Sequence, residues 1–124
     1  MSKNRFIGKD ERFKIITKIA KPEINGHDIQ FLKLVKESSL EEMFESLLIR
    51  SRGRYFTRDE VGIFCKKYKT WLRIYGYFNF FPADAVSVHC VTVINGNIKI
   101  FEKAVTEKPL YKAKYMHRFF RKIS

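Results

Sequence analysis

Histidine and cysteine supply many catalytic nucleophiles, general bases and metal ligands, and the chain contains three histidines and two cysteines. Two cysteines alone can build neither a four-ligand zinc site nor a disulfide framework. Cys65 lies within a predicted helix and Cys90 on a predicted strand, so we expect both to be buried and inert. We therefore expect no metal site and no cofactor.

The one chemical pairing that the sequence predicts is between His89 and Glu102. Asn95-Gly96 joins two segments rich in β-branched residues, and Asn-Gly is the preferred pair for a two-residue type I′ hairpin. That turn fixes the register, so His89 faces Glu102. A carboxylate beside an imidazole could serve acid–base chemistry, which gives one alternative function, a metal-independent ribonuclease. We favour a cross-strand polar pair instead, because such pairs commonly lie at sheet ends.

Known catalytic motifs give no support for an enzyme. The chain contains no Cys-x-x-Cys, His-Glu-x-x-His or Gly-x-Ser-x-Gly motif and no glycine-rich phosphate loop. A metallonuclease site built from Asp84, Glu102 and Lys103 is disfavoured, because adjacent residues on a strand point to opposite faces. We therefore expect a protein without catalytic activity.

The strongest signal in the composition is positive charge. Lys and Arg number 25 against 13 Asp and Glu, which gives a net charge of +12, and 15% of the residues are aromatic. The basic excess is spread over residues 1–36, 50–75 and 76–124, whereas 37–49 is acidic. Solubility does not require so large a charge. Because cations contact phosphates and aromatic rings stack on bases, we predict a small regulatory protein that binds DNA or RNA.

The predicted phosphate contacts lie on one loop and on several basic faces. Four arginines between residues 50 and 58 surround the loop before a helix N-terminus, where guanidinium groups and free backbone N–H groups converge. The second predicted helix, the hairpin and the last predicted helix each add cations. The predicted nucleic-acid-binding residues are Arg50, Arg52, Arg54, Arg58, Lys66, Lys69, Arg73, Lys99, Lys103, Lys114, Arg118 and Arg121.

Hydrophobic periodicity and turn residues define the elements that would hold these side chains. Two helices begin at capping boxes, Ser39 with Glu42 and Thr57 with Glu60. The predicted elements are strands over 12–20 and 28–35, helices over 40–51 and 57–75, hairpin strands over 86–94 and 97–103, and a basic amphipathic helix over 110–123. This order predicts a single α+β domain spanning 1–124, with an antiparallel sheet of about four strands and two to three helices packed on one face.

A winged-helix-like fold is the alternative architecture. It would require the second helical region to break near Lys69-Thr70, so that residues 69–73 begin a recognition helix and Asn95-Gly96 forms the tip of the wing. The uninterrupted helical pattern after Thr57 counts against it.

A second alternative function is a protein-binding module that docks on an acidic surface of a nucleic-acid-handling machine. It depends on the apolar segment 77–82, which would mark a partner site if exposed. The chain has no run of about 18 apolar residues and no signal peptide, so we expect a cytoplasmic protein that is neither secreted nor integral to a membrane. The sequence does not predict an oligomeric state.

Overall fold

The computed structural model describes residues 12–19, 21–73 and 77–123. Its strands form one mixed sheet in the order β1-β3-β7-β4-β5-β6, with β2 paired to β3; β4 and β7 are parallel, and the other pairs are antiparallel. The strands are β1 (Phe13–Ile15), β2 (Glu23–Ile24), β3 (His27–Leu34), β4 (Asn79–Asp84), β5 (Ser87–Ile94), β6 (Asn97–Ala104) and β7 (Arg118–Lys122), and the helices are α1 (Leu40–Ser46), α2 (Ile49–Arg52), α3 (Arg58–Lys67) and α4 (Lys69–Arg73).

The predicted fold class is wrong, because the sheet has seven strands, is mixed, and carries helices on both faces. α1 and α2 bury their apolar side chains in one cluster with Phe119, whereas α3 and α4 bury theirs in a second cluster with Phe120. Adjacent residues of a strand point to opposite faces, so the two clusters lie on opposite sides of the sheet. The helical region does break at Tyr68, but a seven-stranded sheet between two helical layers is not a winged helix.

The main cause of the error is the C-terminal segment, which was predicted to be a helix. Instead, a short 3-10 turn over Ala113–Tyr115 ends at Met116, whose positive φ of 57° redirects the chain into β7. All five residues of β7 are buried, because β3 and β4 flank the strand. Phe120 stacks on Phe81, with ring centroids 4.5 Å apart, and Phe119 meets Phe44 on the other face. A strand can place consecutive phenylalanines in two separate cores.

Both predicted capping boxes are confirmed. Ser39 Oγ accepts from the Glu42 backbone N–H at 3.1 Å, while the Glu42 carboxylate accepts from the Ser39 N–H at 2.9 Å, and Thr57 and Glu60 make the same pair of bonds. The helices are shorter than predicted. Leu48 adopts a left-handed φ of 57° that separates α1 from α2.

The predicted hairpin is confirmed residue by residue. β5 and β6 pair so that His89 lies opposite Glu102 and Val91 opposite Ile100. Asn95 and Gly96 have φ values of 52° and 79°, as a type I′ turn requires. The strand predicted over 28–35 corresponds to β3. Within the described part of the strand predicted over 12–20, only Phe13–Ile15 forms a strand, and Ala20 lies outside the described residues. Within the described ranges, none of the helices has the length and apolar character needed to cross a bilayer.

Candidate nucleic-acid interface

Three cationic side chains lie side by side across three neighbouring strands. Lys14 of β1 is directly opposite Lys33 of β3, and Lys33 is directly opposite Arg118 of β7. We call these three residues the cationic row. Their strand neighbours Phe13, Leu32 and Phe119 point into the cluster under α1 and α2. The three cations therefore project from the opposite face, which α3 and α4 cover. Like charges placed directly opposite one another destabilise a sheet.

Exposure falls along the cationic row from one end to the other. Lys14 is exposed, Lys33 is half-buried, and Arg118 is only 4% exposed. The Arg118 guanidinium carbon lies 3.7 Å from the centre of the Trp71 ring and 4.9 Å from that of Tyr77. Cation–π contact with both rings offsets part of the cost of burying the charge and fixes the plane of the guanidinium group.

The cationic row lines a groove of about 290 Å³. Lys18 adds a fourth cation, while Trp71 and Tyr77 supply aromatic surface. The Tyr77 hydroxyl lies 3.2 Å from the Met116 sulfur, at the positive-φ residue that redirects the chain into β7. No acidic side chain is among the described residues that line this groove. Its chemistry therefore suits an anion that also carries an apolar, planar part.

A second cationic cluster lies beside the other end of β7. Arg52, the last residue of α2, and Arg54 line a cavity of about 120 Å³ together with Arg121 of the central strand. We call these three residues the arginine corner. Arg121 is 5% exposed and donates from Nε to the Gln30 Oε1 at 2.7 Å. Burial first, and then the charges of Arg52 and Arg54, lower the pKa of Arg121 to about 10, so the group stays charged at neutral pH.

Lys122 also lines that cavity, but its ammonium group lies on the other face of the sheet from Arg121 and contacts residues there. Its Nζ lies 2.8 Å from a Glu60 carboxylate oxygen, in an ion pair whose side chains are both 8% exposed, and donates to the Tyr55 carbonyl at 2.9 Å. Glu60 is also the N3 residue of the capping box that begins α3. The pair therefore anchors α3 to the central strand.

The other predicted phosphate contacts lie apart from both clusters. Arg50 donates to the Ala85 carbonyl at 2.9 Å and faces Glu41 at 3.9 Å, so it links α2 to the β4–β5 turn. Lys103 faces Glu107 at 3.5 Å and lies near the Phe78 and Phe101 rings. The remaining predicted cations whose side chains are described are exposed and line neither cavity, namely Arg58, Lys66, Lys69, Lys99 and Lys114; the side chain of Arg73 lies outside the described part.

His89 and Glu102 lie together as predicted, in surroundings typical of a structural pair. His89 Nδ1 is 3.8 Å from a Glu102 carboxylate oxygen, and Nε2 is 3.2 Å from the Phe56 carbonyl oxygen. His89 is 5% exposed, whereas the Glu102 side chain is 67% exposed. The Phe56 carbonyl accepts from Nε2–H, so only Nδ1 faces the carboxylate. Because the ring is nearly enclosed, a substrate would have little access to it, which counts against the ribonuclease alternative.

The cysteines are buried, as the sequence predicts. Burial raises the pKa of Cys65 to about 11 and that of Cys90 to about 12, so both remain protonated thiols at neutral pH. Among the described residues, no group of three or more histidine, cysteine, aspartate or glutamate side chains could hold a metal ion.

The apolar segment predicted as a possible partner site is mostly core. Phe80, Phe81 and Pro82 are buried, and only Tyr77 and Phe78 are half-buried. The protein-docking alternative therefore loses the exposed patch on which it depended.

Sequence reasoning missed Lys14, Lys18, Lys33, Trp71 and Tyr77 as site residues. The available signal was the alternation of Lys14 and Lys33 with apolar neighbours in the two predicted strands. Comparison of the chain with protein-family models, with curated proteins and with solved structures found no match in any of the three. The function must therefore be inferred from the side chains themselves.

Proposed function

We propose that the protein is a non-catalytic binder of single-stranded nucleic acid, whose phosphates lie along the cationic row. The observation that carries the proposal is the alignment of Lys14, Lys33 and Arg118 on three adjacent strands, beside Trp71 and Tyr77. The regulatory role that the sequence predicts requires binding without cleavage.

The cationic row suits a polyanion better than a single small anion. Neighbouring strands are about 4.8 Å apart, so three cations across two strand intervals form a path of about 10 Å. Lys14 is exposed and Lys33 is half-buried, whereas the Trp71 ring packs against the Arg118 guanidinium. Phosphates that replace counterions along such a path give affinity that falls steeply with salt.

The neighbouring rings give the preference for single strands. Tyr77 is half-buried and lines the groove, so part of its surface faces the ligand. Stacking of an unpaired base on an aromatic side chain contributes roughly 1–3 kcal/mol and depends little on sequence. Bases inside a duplex cannot reach such a ring, so a duplex would gain only the phosphate contacts.

Fluorescence anisotropy with labelled single- and double-stranded DNA and RNA, at several salt concentrations, tests the proposal. Replacing Lys14 and Lys33 by alanine together should weaken single-strand binding at least tenfold. The log–log salt slope should decrease by about 1.4, since each phosphate contact on a single strand contributes about 0.7.

The matched control is Lys66→Ala with Lys99→Ala, which removes the same charge from exposed positions that line neither cavity. This control should bind nearly as the parent protein does. Equal losses in the two double variants would reduce the effect to net charge, and absence of binding to all four nucleic acids would overturn the function itself.

A further inference from the structure

A cavity of about 660 Å³ adjoins the groove and shares Tyr77 with it. Its lining is strongly aromatic, since Phe78, Tyr111, Tyr115 and the His117 ring join Tyr77 there. The volume lies in the range of about 300–1,000 Å³ that is usual for small-molecule sites. We call it the aromatic cavity.

One wall of the aromatic cavity is rigid. The Phe78 and His117 rings are stacked, with centroids 5.5 Å apart and planes 15° apart. Tyr111 meets His117 edge-on at 5.2 Å, and Tyr111 is itself 6% exposed. His117 is 7% exposed, and burial lowers its pKa to about 4, so the wall carries no charge at neutral pH.

The opposite rim is open and mixes apolar with cationic groups. Tyr115 is 53% exposed and Leu110 is 54% exposed, and both side chains line the cavity. Lys112 and Lys114 are exposed at the same rim, and the Lys114 ammonium lies 5.1 Å from the centre of the Tyr115 ring. No acidic residue is among the described residues that line the cavity.

An uncharged aromatic wall with cations only at the rim matches a ligand that is planar at one end and anionic at the other. We propose that the aromatic cavity is a base-binding site, which takes up one unpaired nucleobase while Lys112 and Lys114 contact the adjoining phosphate. This inference rests on the proposed function and deepens it. Phe78 and Tyr111 pack with the core under α1 and α2, so the aromatic cavity opens on the other face of the sheet from the cationic row. A strand would pass Tyr77, which belongs to both cavities, to place its next base there.

The test compares a single-stranded oligothymidylate with an abasic strand of the same length, which keeps the phosphates and lacks the bases. Tyr115→Ala should weaken binding of the oligothymidylate about tenfold and leave the abasic strand unaffected, because only a base can stack on the ring. Tyr115→Phe should bind as the parent protein does. Tyr115 lies on the exposed 3-10 turn, so its replacement should not perturb the fold.

A base analogue gives a second readout. An oligonucleotide that contains 2-aminopurine should lose fluorescence on binding the parent protein, because the base stacks on the rings, and should keep it on binding Tyr115→Ala. Ile63→Ala, which truncates an exposed apolar side chain of α3, is the positional control and should behave as the parent protein does.

The outcomes separate this inference from the proposed function. Oligonucleotide binding that depends on Lys14 and Lys33 but is indifferent to Tyr115→Ala would overturn the base-binding site alone. Conversely, thymidine monophosphate that binds in a Tyr115-dependent way, without any binding of the oligonucleotide, would support the base site and overturn the proposed function.

Discussion

The groove and the arginine corner both gather cations around β7, and they differ in what accompanies the charge. Arg118 and Arg121 are three residues apart on one strand, so their side chains point to opposite faces of the sheet. Around Arg118 lie aromatic rings and a groove of about 290 Å³, whereas Arg121 lies with two other arginines at a cavity of about 120 Å³. The groove therefore has room for bases, while the corner suits a single phosphate group. Two clusters of similar positive charge can therefore suit different parts of a nucleic acid.

Both regions depend on the burial of β7, so the largest expected effect comes from weakening that strand. Phe120→Ala removes a fully buried ring that stacks on Phe81, and should lower the free energy of unfolding by about 3–5 kcal/mol. Urea denaturation measures the loss. Binding through both regions should fall together as the folded fraction falls.

Ile123→Ala is the control for that experiment, because Ile123 follows β7 and is 47% exposed. Its effect should stay within about 0.5 kcal/mol. If Phe120→Ala were equally mild, β7 could not be the central strand, and the comparison between its two faces would fail.

An intermediate effect should come from His117, which lines the aromatic cavity beside the groove, and it should show as a pH dependence of stability. Burial lowers the pKa of His117 to about 4, from about 6.5 in the unfolded chain. Between these values the unfolded chain takes up a proton that the folded protein does not. Stability should therefore fall as the pH decreases below about 6.5, by about 2 kcal/mol at pH 5.

The measurement is urea denaturation at several pH values from 7 to 5. Backbone hydrogen bonds lower the pKa values of Glu42 and Asp84, so the stability that these groups contribute is lost only at more acidic pH. His117→Phe keeps a ring beside Phe78 and removes the titrating group, so it should flatten the profile. An equally steep profile in this variant would assign the pH dependence to other residues.

The smallest effect should come from the arginine corner. Arg52→Ala with Arg54→Ala should weaken nucleic-acid binding about tenfold for all sequences and reduce the salt slope by about 1.4, because two phosphate contacts are lost. The ratio of single-strand to double-strand affinity should not change, since no aromatic ring lines the described part of this cavity. Anisotropy titrations on both strand types check this.

Two results would revise that comparison. Unchanged affinity in the double arginine variant would remove the corner from the interface, and a selective loss of single-strand binding would give it the role assigned to the groove. Removing these charges should also relieve repulsion at Arg121, so its pKa should rise in the variant.

The parts of the fold that were predicted correctly rest on short-range signals. Ser39 and Thr57 each precede a glutamate by three residues, and Asn95-Gly96 allows essentially one kind of turn, so neighbouring residues decide these structures. The breaks at Leu48 and Tyr68 have no such local signal, since neither residue is a glycine or proline.

β7 shows why local pattern fails where long-range pairing decides. Tyr111, Tyr115 and Phe119 recur every four residues, as on one face of a helix, and this spacing produced the wrong prediction. The segment is a strand because β3 and β4 offer it hydrogen-bond partners and two apolar layers accept Phe119 and Phe120. Neither partner can be inferred from residues 110–123 alone.

The candidate site was predicted only in part, because it also depends on long-range strand pairing. Arg52, Arg54, Arg118 and Arg121 were all predicted contacts, yet a predicted helix placed the last two on one face, whereas the strand separates them. Lys14 and Lys33 could not be assigned, because the register between their strands is not fixed by a short turn. Only the pairing of Lys33 with Arg118 in β7 aligns the two lysines with a third cation.

The central position of β7 also bears on the order in which the protein can fold. Ile29 pairs with Lys122, which lies 93 positions later in the chain, and no other described strand pairs with both β3 and β4. During synthesis, β3 and β4 would each have an unpaired edge until residues 118–122 are translated, because β7 lies between them. Such late, long-range closure is slow and exposes unpaired edges to other chains. Assembly of this sheet should therefore follow translation of β7 and be the stage at which the chain is most prone to aggregate.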